Sequence, residues 1–217
     1  MLRTIFFVVG TALITPTAPV CLAESKLEDK QEQLFSSIDH LSVDFSQSTY
    51  KKLRNRTITR SGNAFFSKPD RFRWNFTSSK AGLEEYYFNG EKLTHYREKD
   101  QIVNHYNTNA GLARELTEVV SLVLDPKALL SRYKVKESKS AGGHTQVVLL
   151  PQAKETTDVD SIFVKVSDVK KYVEEVQIFY IDGNNTKFSF KNPATGTNDP
   201  KIFTFSRTGN FTVRHHG

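Results

Sequence analysis

The chain has 217 residues, 30 Lys and Arg against 24 Asp and Glu, a net charge of +6 and a single cysteine. One cysteine excludes a disulfide framework and a thiolate-built metal site, so the fold must stand on its apolar core. The cations are scattered and match no recognition motif, which excludes a nucleic-acid interface and leaves attraction to an acidic partner or an anionic lipid face as a reading of the excess charge.

Residues 1–23 read as a secretory signal peptide: Arg3 opens it, Ile5 to Ile14 form the apolar run, and Cys21-Leu22-Ala23 ends on a small residue. The run is too short to cross a bilayer. Its removal leaves 194 residues (217 − 23) with a charge of +5, expected as one domain over 24–217. Cys21 goes with the signal, and the branched Val20 before it argues against lipidation, so the processed chain is expected to have no thiol.

Glu28 to His40 has Leu34, Phe35 and Ile38 on one side and predicts a helix. Leu41 to Tyr50 alternates apolar and polar residues, the pattern of a half-buried strand. After a basic turn, Arg56 to Ser67 is extended. Arg71 to Thr77 then alternates strictly, with Phe72, Trp74 and Phe76 on one face and Arg71, Arg73 and Asn75 on the other. Glu84 to Phe88, an Asn89-Gly90 hairpin turn, Lys92 to Glu98 and Gln101 to Tyr106 continue the strands.

The period changes after Gly111. Leu112, Leu116, Val119, Val120, Val123 and Leu124 fall at helical spacing, Asp125-Pro126 ends that helix, and Pro126 opens a second short one. Strands resume at Tyr133–Glu137, Gln146–Leu150, Ile162–Val166, Tyr172–Ile181, Lys187–Lys191, Lys201–Ser206 and Phe211–Val213. The class is mainly β (α+β): one strongly curved antiparallel sheet of ten or eleven strands with helices against one face.

No catalytic residue, metal ligand or cofactor motif is identified. The six histidines do not pair at ligand spacing, and the terminal His215-His216 reads as a frayed tail. Glu84-Glu85 and Glu174-Glu175 point to opposite faces of their strands and cannot form one acid–base pair. An enzyme is therefore not expected. The aromatics remain, with Phe45, Phe65, Phe72, Trp74, Phe76, Tyr86 and Phe88 all on predicted strands. They form either a filled core or, because few helices cannot cover a curved sheet, the wall of an apolar groove.

Four segments in this order resemble the outer-membrane lipoprotein carrier (LolA) family of Gram-negative bacteria. They are Leu41-Ser-Val-Asp-Phe-Ser-Gln47, Gly62 through Lys68-Pro69 to Phe76, Tyr86-Tyr-Phe-Asn-Gly90 with Lys92 to Tyr96, and Ile202-Phe-Thr-Phe205 with Phe211-Thr-Val213. The resemblance implies an open, incomplete β-barrel of about eleven strands whose helices form a lid over a hollow. It implies a monomeric periplasmic chaperone that takes triacylated lipoproteins from an inner-membrane ABC exporter to an outer-membrane acceptor. Phe72 and Trp74 match the family's cavity aromatics, with Phe76 following by alternation. The lid helix would present Leu116, Val119, Val120 and Val123. Two positions depart from the family: Lys68 stands where an arginine latches the lid, and Ser206-Arg-Thr-Gly209 replaces a Pro-Pro between the closing strands. Two other readings stay open. One is a related half-barrel envelope protein that carries another lipid or senses lipoproteins; the other is a periplasmic interaction domain that binds no lipid.

Overall fold

A computed structural model describes residues 38–77, 82–107, 111–124, 131–153 and 157–216, with side chains of the helix described from Leu116 onward. The signal peptide, nearly all of the helix expected before His40, and the short helix expected from Pro126 lie outside the described residues.

Among the described residues, twelve strands and one α-helix follow in chain order: β1 (His40–Lys51), β2 (Arg56–Ser67), β3 (Arg71–Phe76), β4 (Glu84–Phe88), β5 (Lys92–Arg97), β6 (Ile102–Asn107), α1 (Gly111–Leu124), β7 (Tyr133–Ala141), β8 (His144–Pro151), β9 (Val159–Ser167), β10 (Tyr172–Tyr180), β11 (Asn185–Thr195) and β12 (Thr212–His216). All twelve belong to one sheet in the order β12-β6-β5-β4-β3-β2-β1-β11-β10-β9-β8-β7. β1 is its spine, pairing with β2 on one side and β11 on the other. The terminal strands β12 and β7 are not neighbours, so the sheet stays open.

Local chemistry sets the hairpins. At Asn89-Gly90 only the glycine takes positive φ (97°), while the Asn89 side-chain oxygen accepts from the N–H groups of Glu91 and Lys92. That fixes the β4–β5 register and with it the side chains that turn inward.

Register stacks the inner face into rows. Leu41, Phe66, Phe72, Phe88 and Leu93 form one row across β1 to β5, and Val43, Ala64, Trp74, Tyr86 and His95 the next. Phe45, Gly62, Phe76 and Glu84 follow, then Gln47 with Arg60, then Thr49 with Ile58. The face therefore grades from aromatic to polar along the strands. α1 crosses it against β10 and β2, burying Leu116, Val119, Val120 and Val123.

The C-terminal segment differs from the sequence expectation. Lys201–Ser206 is not a strand: Asp199 accepts from the Lys201 N–H, Pro200 opens a 3-10 turn through Phe203, and irregular chain follows. β12 then joins β6 in parallel, so the sheet is not wholly antiparallel. His215 and His216 are strand residues rather than a frayed tail, with His216 Nε2 3.0 Å from Asn104 Oδ1 and its ring stacked on Tyr106.

Candidate functional site

Trp74 is the hub of the inner face. Its ring lies 4.6 Å from Phe45, 5.1 Å from Phe66, 5.3 Å from Phe188 and 6.4 Å from Phe76, centroid to centroid, and it is fully buried. Phe72 stacks on Phe88 at 5.1 Å, and Phe76 meets Tyr86 edge-on at 5.6 Å. Gly62 makes room for this, because a Cβ there would fall 1.7 Å from the Asn75 carbonyl oxygen.

Phe45, Phe72, Trp74, Phe76, Tyr86 and Phe88 thus share one surface, as their alternation predicts. Phe65 does not: it pairs with Arg73 on the opposite face, and Phe66 takes the inward place beside Phe72. Most of these rings are packed against one another rather than around empty space. The open volume lies at the polar end of the rows.

There, a cavity of about 910 Å³ opens between β1–β4, the β10–β11 hairpin and Leu116 of α1. That is the size of site that holds small molecules, roughly 300–1,000 Å³. Phe76, Tyr86 and Leu116 are part of its apolar lining, and Gln47, Arg60 and Glu84 part of its polar wall. Of the expected site residues, only these three apolar ones border the open space; Val119, Val120 and Val123 are buried in the core behind them.

The polar wall is a connected network. The Arg60 guanidinium donates to Gln47 Oε1 at 2.8 and 3.1 Å and to Glu84 Oε2 at 3.1 Å, and it lies over the Phe76 ring at 4.1 Å. Glu84 Oε1 also accepts from the Tyr86 hydroxyl at 2.8 Å and lies 2.7 Å from His95 Nε2. The His95 ring stacks flat on Tyr86 at 4.2 Å. The sequence offers Glu84 only as one of two adjacent carboxylates that cannot form an acid–base pair, and it singles out nothing at Arg60, although the two lie on the same alternation as Tyr86 and Ala64.

Burial alone would raise the Glu84 carboxyl. Hydrogen bonds from His95 and Tyr86 and the charges of His95 and Arg60 outweigh it and hold the group at about 2. Because the folded value lies below the unfolded one, the stabilisation is complete above about pH 4.5 and is lost as pH falls toward 2. Urea titrations across that window should show a smaller acid loss for Glu84→Gln than for the parent; identical slopes would remove Glu84 from the acid response.

Lys68, at the expected latch position, sits at the other end of the strands. Its Nζ is 3.4 Å from Asp39 Oδ1, and its N–H donates to the Asp39 carbonyl at 2.9 Å. α1 is instead tied through Glu118, which accepts from the Tyr133 hydroxyl and lies 3.7 Å from Arg132.

On the outer face, the C-terminal segment lies across β4 and β5. Glu85, 1% exposed, accepts from Arg73 Nη2, Arg207 Nε and the Tyr87 hydroxyl, each at 2.9 Å. Phe205 packs on Tyr87 and Tyr96 at 5.8 and 5.3 Å, and Phe211 meets Tyr96 at 5.5 Å. Arg71 lies over Phe203 at 5.5 Å. Both arginines of β3 are thus engaged by the chain itself.

The family model described as "Outer membrane lipoprotein carrier protein LolA" matches residues 36–206. Among solved structures, an uncharacterized conserved protein from Thermus thermophilus aligns at TM-score 0.53 and 5% identity, over 89% of this chain and 99% of its own. A LolA superfamily protein from Nitrosomonas europaea aligns at TM-score 0.47 and 9% identity, over 83% and 97%. A putative outer membrane lipoprotein-sorting protein domain from Vibrio parahaemolyticus gives TM-score 0.45 and 10% identity, again over 83% and 97%. No curated protein sequence matches the chain. The family match spans almost the whole described sheet, and the open, helix-crossed architecture agrees with it: the chain belongs to the LolA outer membrane lipoprotein carrier family.

Proposed function

We propose that the protein is a periplasmic chaperone that receives the acyl chains of lipoproteins from an inner-membrane ABC exporter and passes them to an outer-membrane acceptor. The observation that carries this reading is the cavity of about 910 Å³ at the end of the aromatic sheet face, where Phe76, Tyr86 and Leu116 of α1 border it. α1 acts as the lid, because Val119, Val120 and Val123 cover apolar surface that a ligand chain would otherwise cover. Each buried CH₂ contributes about 0.8 kcal/mol. Displacing the helix offsets part of that gain, so cargo stays releasable. The role is binding without bond-making chemistry.

Thr49 borders the cavity opposite Ile58 and Thr186. Thr49→Trp should fill the space and weaken binding of a fluorescent fatty-acyl probe about tenfold or more, with stability nearly unchanged, since the site is half-exposed. Failure of the unaltered protein to bind any acyl probe would end the reading.

The polar wall of Gln47, Arg60 and Glu84 favours a second reading, a carrier of one amphiphile with a polar head. Depleting the protein in cells separates the two: lipoproteins retained in the inner membrane support the first, and normal lipoprotein sorting with a co-purified free lipid supports the second.

A further inference from the structure

The cavity mouth lies where two hairpin tips meet. Lys52–Arg54 form a 3-10 turn between β1 and β2, closed by Asn55 in the left-handed conformation (φ 42°). The facing tip joins β10 to β11. The Lys52 N–H donates to Asn184 Oδ1 at 2.9 Å, and a Cβ at Gly183 would fall 2.5 Å from Lys52 Cδ, so the two tips are in contact.

Three of the five large hydrophobic side chains exposed among the described residues gather here: Leu53 at 103%, Ile181 at 66% and Ile58 at 44%. Ile58 and Ile181 rim the cavity, and Leu53 is no part of its lining. Lys51, Lys52, Arg54 and Arg56 place four cations in six residues, all exposed. Asp182 lies in the β10–β11 tip itself and Asp158 beside it on the cavity lining; these two carboxylates against four cations leave the tips net positive. A single exposed aliphatic needs no explanation, but three beside one opening, flanked by cations, form a patch with a chemical preference. Aliphatics that enter the headgroup–acyl boundary and cations that face anionic headgroups are the two halves of interfacial membrane binding.

We propose that these tips dock the protein on an anionic lipid bilayer with the cavity mouth turned to the membrane, so that an acyl chain passes between bilayer and cavity without crossing water. This rests on the acyl-carrier reading above and adds the surface that receives or delivers the chain. The charge complementarity selects anionic over neutral lipid, and the aliphatics select a bilayer over a soluble polyanion.

Flotation tests it, using protein purified after export and processing by the cell, with vesicles of phosphatidylglycerol and phosphatidylethanolamine or of phosphatidylcholine alone. Binding to the anionic vesicles should exceed binding to the neutral ones about tenfold and fall as salt rises. Leu53→Asp and Arg54→Glu should each weaken it several-fold, roughly tenfold for the leucine. Both variants should take up a soluble acyl probe like the parent, because neither side chain lines the cavity. No binding to anionic vesicles, or a Leu53→Asp protein that floats like the parent, overturns the docking surface and makes the tips a contact for another protein. A parent that floats but takes up no acyl probe overturns the carrier reading and leaves the membrane contact standing.

Discussion

Trp74→Ala will lower the unfolding free energy by about 4 kcal/mol, within the roughly 3–5 kcal/mol measured for buried Phe and Trp truncations. The indole is fully buried and meets Phe45, Phe66, Phe76, Phe188 and Phe190, which come from β1, β2, β3 and β11. Its Nε1 has no acceptor among the described residues, so the loss is one of packing and cavity formation, with no hydrogen bond to regain. A domain of this size is stable by about 5–15 kcal/mol, so the variant will be folded with a visibly lower urea midpoint or largely unfolded. Phe65→Ala is the control, expected at about 1 kcal/mol because that ring is half-exposed on the other face. Comparable losses at the two positions would mean that β2 is one residue out of register, since such a slip exchanges its faces.

That comparison also marks where the sequence is legible. Strict alternation in Arg71–Phe76 places Phe72, Trp74 and Phe76 correctly because each inward position is aromatic and each outward one polar. Phe65-Phe66 carries no such phase: two identical residues fit either face, and only pairing through the Lys68-Pro69 turn decides for Phe66. The polar cavity wall was missed for a related reason. Arg60 and Glu84 lie inward by register, but a search for an aromatic surface discards them, and their burial is supported by partners on four different strands. At Lys201–Phe205 the alternation is real and the inference false. Phe203 packs under Arg71 and Phe205 against Tyr87 and Tyr96, so the apolar positions answer to tertiary contacts rather than to a strand. The parallel β12–β6 pairing is likewise non-local and has no turn residue to announce it.

Glu85→Ala should cost about 2–3 kcal/mol, below the roughly 3–5 kcal/mol of a fully buried pair, because the Arg73 and Arg207 side chains stay 26% and 40% exposed and keep part of their hydration. Burial raises the Glu85 carboxyl, but the hydrogen bonds from Arg207, Arg73 and Tyr87 and the Arg73 charge lower it overall, so it is ionised when folded at neutral pH and its contribution fades only on acidification. Among the described residues, Glu85 supplies the ion pair that ties the C-terminal segment to β4; the segment is also held by ring contacts of Phe205 and Phe211, the Arg207 guanidinium over Tyr96 at 5.3 Å, Phe203 under Arg71 and the pairing of β12 with β6. Removing the carboxylate leaves two guanidiniums facing each other without the charge that joins them. The segment should then open locally while the aromatic inner face stays closed. Amides of β12 paired to β6 should exchange about tenfold faster in Glu85→Ala, and Glu85→Gln should fall between, since an amide oxygen still accepts from one arginine. Unchanged exchange in both variants would pass the anchoring to the ring contacts and to the β12–β6 pairing itself, and faster exchange in Phe205→Ala would then assign it to the rings.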